Sequence, residues 1–97
     1  MVEVKFLSRF RDITGERSVI IENNGKISDL LEILINKYGN AFKDALFDKN
    51  DDLRDYMKIL VNGEDLQASE GLNTEVKDDD EIVIFQTIAG GWNFIFL

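Results

Sequence analysis

The chain has 97 residues, one domain's worth and too few for two independent cores, and its 44% hydrophobic and 31% charged content is that of an ordinary globular protein. It contains neither cysteine nor histidine, which removes disulfides, thiolate chemistry, most zinc sites and histidine acid–base catalysis. Its net charge of −8 repels phosphate backbones, excluding nucleic acid as a partner; it suits docking onto a basic protein surface and also serves simple solubility.

Met1-Val2-Glu3-Val4-Lys5-Phe6 alternates with period two, the pattern of a half-buried strand and not of a secretory signal. Ser8 to Gly15 carry Phe10 and Ile13 among charges, which predicts one short helical turn closed by glycine. Arg17 to Glu22 form a second strand with Val19 and Ile21 inward, followed by a turn at Asn23-Asn24-Gly25. Ser28 then stands as a helix N-cap, with Asp29 at the positive end. Ile27, Leu30, Leu31, Leu34 and Tyr38 recur at helical spacing, and Lys37 and Gly39 close this main helix.

Ala41, Phe42, Leu46 and Phe47 predict a second short helix. The acidic stretch through Asp48, Asp51 and Asp52 lacks the glycine and terminal glutamate of a twelve-residue calcium loop, and reads as solvated. Lys58 to Val61 form a third strand ending at Asn62-Gly63, a tight-turn signal. Val76 leads into an Asp78-Asp79-Asp80 turn, and Glu81 to Phe85 form the last strand. No apolar run approaches the ~20 residues that span a bilayer, so the chain is expected to be cytoplasmic, with no membrane partner.

The order strand, strand, helix, strand, strand predicts an α+β fold in which one main helix lies across one face of a mixed sheet of four to five strands. The first and last strands have enough chain between them to pair in parallel at the centre. That arrangement is the β-grasp, or ubiquitin-like, fold. Three strands are nevertheless apolar on both faces, which leaves a surplus set of Ile20, Leu60, Val83 and Phe85, with Leu7 beside them. Either residues 40–57 fold over that second face, or it is an exposed docking patch.

Val61-Asn62-Gly63-Glu64-Asp65-Leu66, the run from Val76 to Phe85, and Ala89-Gly90-Gly91 together resemble the small, sulfur-carrying subunit of molybdopterin synthase. Val4 to Gly15 look like that family's first strand and following turn. Lacking side chains, two consecutive glycines can thread a narrow channel and adopt angles closed to other residues; the plainer reading is a glycine turn before the last six residues. The resemblance implies a division into a domain at 1–85, a flexible double-glycine arm at 86–91 and an apolar extension at 92–97. It implies that an adenylyltransferase of the ubiquitin-activating type uses ATP to adenylate the Gly91 carboxylate, and that sulfur then replaces AMP to give a thiocarboxylate. The larger catalytic subunit of the synthase would receive that tail and pass its sulfur to a pterin precursor. Gly91 is then the reactive terminus and Gly90 its slender neighbour. Phe85, Gln86, Thr87, Ile88 and Ala89 guide the arm, and Val83 and Leu60 contribute to partner binding. The chain itself is expected to hold no cofactor, and to be a carrier subunit and not a catalyst alone.

Two features depart from the family's pattern. Where relatives often carry two prolines, this chain has Gln86 and Thr87, and it contains no proline at all. More seriously, Trp92-Asn93-Phe94-Ile95-Phe96-Leu97 follow Gly91, and an amide at Gly91 cannot be adenylated. Three readings compete: a protease removes them as a propeptide, they form a stable element with Trp92, Phe94 and Phe96 on the apolar sheet face, or they are an artefact of reading frame. Rival functions on the same fold are a ubiquitin-like modifier joined to lysines through Gly91, a non-catalytic binding module, and a thiamin-type sulfur carrier, whose chain is usually shorter.

Overall fold

A computed structural model describes residues 1–22, 25–66 and 70–87. Its elements in chain order are β1 (Val2–Phe6), α1 (Arg9–Thr14), β2 (Ser18–Ile21), α2 (Ile27–Tyr38), α3 (Asn40–Leu46), β3 (Met57–Val61), β4 (Glu64–Asp65), a 3-10 turn (Gly71–Asn73) and β5 (Glu81–Gln86). The sheet order is β2-β1-β5-β3-β4, with β1 and β5 parallel at the centre and the other pairs antiparallel. This is the β-grasp fold expected from the alternation of strand and helix signals, and β4 supplies the fifth strand.

The period-two pattern sorts the side chains by face. Val2, Val4 and Phe6 of β1, Ile82 and Ile84 of β5, and Met57 and Ile59 of β3 are buried inward against the helices. Helix α2 lays Ile27, Leu30, Leu31 and Leu34 on that layer. Its start differs from expectation: Lys26, not Ser28, is the N-cap, and the Asp29 carboxylate accepts the Lys26 backbone N–H at 3.0 Å. Asp29 thus satisfies an otherwise orphaned donor just ahead of the first turn while its charge favours the helix's positive end. At the other end Gly39, with φ 91°, lets the chain break and restart as α3.

Residues 40–57 do not cover the sheet's second face. Phe42, Ala45 and Leu46 of α3 are buried in the same core as the inward strand residues. Phe42 meets Phe6, Phe10 and Tyr38 with ring centroids 5.9, 5.6 and 5.6 Å apart. Each such buried ring contributes roughly 1.5–3 kcal/mol of transfer free energy, which is reason enough for the segment to side with the helices. Beyond α3, Arg54 donates its Nε–H to the Asp44 carbonyl at 2.7 Å, while the Asp48 carboxylate accepts backbone N–H groups of Asn50 and Asp52. The β3–β4 hairpin closes through Asn62 and Gly63, both at positive φ (52° and 85°), the geometry that makes an Asn-Gly pair a turn signal. The turn expected at Asn23-Asn24-Gly25 falls mainly outside the described residues; Gly25 accepts the Val76 N–H at 2.9 Å. Among the described residues, no helix is long and apolar enough to cross a membrane.

Candidate docking face and C-terminal arm

The inward alternation leaves a second set of side chains on the opposite face of the sheet. Register places Lys5 beside Val83 and Val83 beside Leu60, which in turn faces Asp65. One row nearer the end of β5, Phe85 stands opposite Lys58, and the Leu7 N–H donates to the Ile84 carbonyl at 3.0 Å. Leu60, Val83 and Phe85 are half-buried and Leu7 is exposed, so these four apolar side chains gather toward one end of the central strand. Ile20 is 56% exposed on the same face but sits across β1 in the row of Glu3, apart from the others. The sequence grouped it with them because alternation assigns a face and not a neighbour.

Charge borders this apolar lane on both sides. On β1 Lys5 pairs with Glu81 at 2.8 Å, and on β3 Lys58 pairs with Asp65 at 3.3 Å. The hydrogen bond that the Lys5 ammonium donates to the Glu81 carboxylate, helped by the carboxylate's charge, holds Lys5 above its ordinary pKa. Exposed pairs of this kind add little stability, because solvent screens them. Their consequence here is local: both lysines flanking the lane already have their counter-charges. Neither pair was singled out in the sequence, although Lys5 and Lys58 occupy outward positions of strands whose alternation was legible.

The arm leaves from this end of the sheet. Gln86 is still part of β5, in register with the buried Met57, so the strand runs one residue beyond the boundary expected at 85. Thr87 is fixed as well: its backbone N–H and its Oγ1–H both donate to the Tyr56 carbonyl, at 2.6 and 2.9 Å. The pair of residues standing where proline was expected therefore restrains the chain by hydrogen bonds instead of by a closed ring. Ile88, Ala89, Gly90 and Gly91, and with them the residues 92–97, lie outside the described residues.

Compared with known proteins, residues 4–91 match the model of the ThiS family. The chain belongs to the ThiS family. The match ends at Gly91, at the double glycine, and leaves out the last six residues. The family is the ubiquitin-like one of sulfur carriers and modifiers, and the relatives span both descriptions. A putative sulfur carrier protein of Archaeoglobus fulgidus is 34% identical over 65 residues, covering 67% of this chain and 73% of that one. The solution structure of small archaeal modifier protein 1 from Methanosarcina acetivorans is 34% identical, covers 93% of this chain and 95% of its own, and superposes with a TM-score of 0.80. A chain in the crystal structure of the BexX/CysO complex of Amycolatopsis orientalis is 29% identical with a TM-score of 0.77, covering 94% of this chain and 100% of that one.

Proposed function

We propose that this ThiS-family chain is a sulfur carrier for molybdopterin synthesis, activated at the Gly91 carboxylate once residues 92–97 have been removed. The observation that carries the reading is the family match that stops at Gly91, together with the fixed strand that delivers the arm. In this reading an adenylyltransferase of the ubiquitin-activating type forms the Gly91 acyl-adenylate from ATP, with pyrophosphate leaving. Sulfur displaces AMP, and the larger synthase subunit receives the thiocarboxylate in the cytoplasm. The lane of Leu7, Leu60, Val83 and Phe85 docks on the activating enzyme or the synthase, with Thr87 setting the direction in which Ile88, Ala89 and Gly90 carry the terminus. The chain's own contribution is positioning: ATP and the reactive groups for sulfur transfer belong to the partners, and the carrier binds no cofactor.

The likeness to small archaeal modifier protein 1 favours a second reading, in which Gly91 is joined to lysines of other proteins. Intact-mass measurement of the endogenous protein, purified so as to keep thiocarboxylates, separates the two. A chain ending at Gly91 with sulfur in place of one terminal oxygen supports the carrier. Covalent conjugates of N-terminally tagged protein, without any thiocarboxylate, support the modifier. A population ending wholly at Leu97 would rule out both.

A further inference from the structure

We infer that β2 is a self-association edge: two copies of this chain pair their β2 strands antiparallel about a two-fold axis at Ile20 and so join their sheets into one. The pairing is independent of what Gly91 does. Among the described residues β2 is the last strand on its side of the sheet, and its backbone groups divide between two sides. The Phe6 N–H donates to the Arg17 carbonyl at 2.9 Å, whereas the Glu3 and Leu7 N–H groups turn the other way, to the Asp80 and Ile84 carbonyls at 3.3 and 3.0 Å. The backbone groups of Val2, Val4 and Phe6 therefore face β2, and register makes Val2–Ile21 and Val4–Val19 the bonded pairs. Alternation then turns the N–H and C=O groups of Ser18, Ile20 and Glu22 to the open edge. That edge lacks the usual defences: Ser18–Ile21 holds no proline and no charge, and Ile20 stands 56% exposed on its outward face. The opposite edge, β4, is two residues long, and both are acids.

A second copy suits this edge in register and in charge. A two-fold axis perpendicular to the sheet sets the open edges antiparallel and keeps helix face with helix face. Opposed residues then share a face, and only the register centred on Ile20 engages Ser18, Ile20 and Glu22 of both copies at once. Ile20 meets Ile20 of the second copy, which buries a side chain its own chain leaves exposed. Ser18 stands opposite Glu22 of the second copy, where its hydroxyl can donate to that carboxylate. Lys5 lies beside Ser18 in the same outward row, so its ammonium and the second copy's Glu22 flank one small serine and attract across it. An ammonium has three donors, so Lys5 can serve this carboxylate as well as Glu81. The two-fold axis repeats each of these contacts. Leu60, Val83 and Phe85 lie beyond β1, on β3 and β5, so both copies keep the lane free. An edge of four residues is a small contact between chains that each carry a charge of −8, so the dimer is weak and forms as concentration rises.

The chain contains no cysteine, so single cysteines introduced into it report the register. Ile20→Cys sets two thiols on directly opposed residues, with Cα atoms ~5.5 Å apart and inside disulfide range. In Ser18→Cys the two thiols lie ~14 Å apart along the paired strands. Under mild oxidation of the concentrated full-length chain, Ile20→Cys should form the covalent dimer about tenfold faster than Ser18→Cys, or more. In sedimentation, the average mass of the wild type should climb from one chain toward two as concentration is raised. Ile20→Lys, which sets two ammonium groups face to face, should hold it at one chain. Leu60→Lys makes the same charge change on the lane and should associate as the wild type does. Equal cross-linking of the two cysteine variants overturns the inference, as does a wild type that stays at one chain throughout. A dimer that Leu60→Lys dissolves and Ile20→Lys does not would place the interface on the lane and overturn it too.

Discussion

Ser8 holds φ 56° and ψ −133°, a conformation that glycine adopts freely and a side chain does not, at the N-cap of α1. The Phe10 N–H reaches back to the Leu7 carbonyl at 3.2 Å, so a tight turn between β1 and α1 forces the angle. Such strain is of order 1–3 kcal/mol, against ~0.5–1 kcal/mol for the greater unfolded-state freedom of glycine. Ser8→Gly is therefore expected to stabilise the domain by about 1 kcal/mol in urea unfolding; a loss of stability would show that the serine side chain holds the turn by contacts of its own. The other positive-φ residues outside glycine among the described residues, Asp51, Asn62 and Asp79, are types that tolerate the left-handed region. Two of them stand in turns legible from the sequence, at Asn62-Gly63 and Asp78 to Asp80. Ser8 was not legible in that way, because serine gives no such signal.

Helix α2 is tied to the loop between α1 and β2 through one phenol: the Tyr38 hydroxyl donates to the Glu16 carboxylate. Burial, followed by that hydrogen bond and the carboxylate's charge, raises the Tyr38 pKa well above its ordinary value of 10.0. A tyrosine raised in the folded state favours folding while it stays protonated. Its contribution is full below pH 10, the unfolded value, and is lost as pH climbs from there toward the folded one. The difference in stability between the wild type and Tyr38→Phe should accordingly be constant below pH 10 and shrink above it. A difference that stays flat through the alkaline range would mean that Tyr38 ionises as freely folded as unfolded. At this scale the helical spacing of Ile27, Leu30, Leu31, Leu34 and Tyr38 was readable because α2 meets the sheet along one stripe. Its N-cap was misassigned to Ser28 because a serine beside an aspartate offers two registers, and Thr74, whose carbonyl accepts the Ile27 N–H at 2.9 Å, helps fix the one adopted.

For the whole molecule, the consequence of the fold is a sheet with two unlike faces, one filled by helices and one holding an apolar lane between ion pairs. If the lane docks the activating partner, then in a chain ending at Gly91 Leu60→Asp should raise KM for the carrier about tenfold or more, the scale of a buried interface anchor, with kcat little changed. Its effect on folding should stay near 1 kcal/mol, as for an outward strand position. An unchanged KM would show that the partner grips another surface.

The sequence by itself determined the β-grasp architecture, the inward and outward positions of β1, β2, β3 and β5, the main helix and the place of the double glycine, while the short β4 went unread. These follow from periodicity and turn chemistry, which are local, and from the limited ways one helix can cover one small sheet. Three matters needed the tertiary structure: which face residues 40–57 would cover, which outward apolar residues would be neighbours, and where the arm would be held. Each depends on pairing between strands distant in the chain. Register across β1, β5 and β3 brings Leu60, Val83 and Phe85 together and sets Ile20 apart, and the Tyr56 carbonyl meets Thr87 only because β3 and β5 lie side by side. Alternation can say that a side chain faces outward; only the assembled sheet decides what stands next to it.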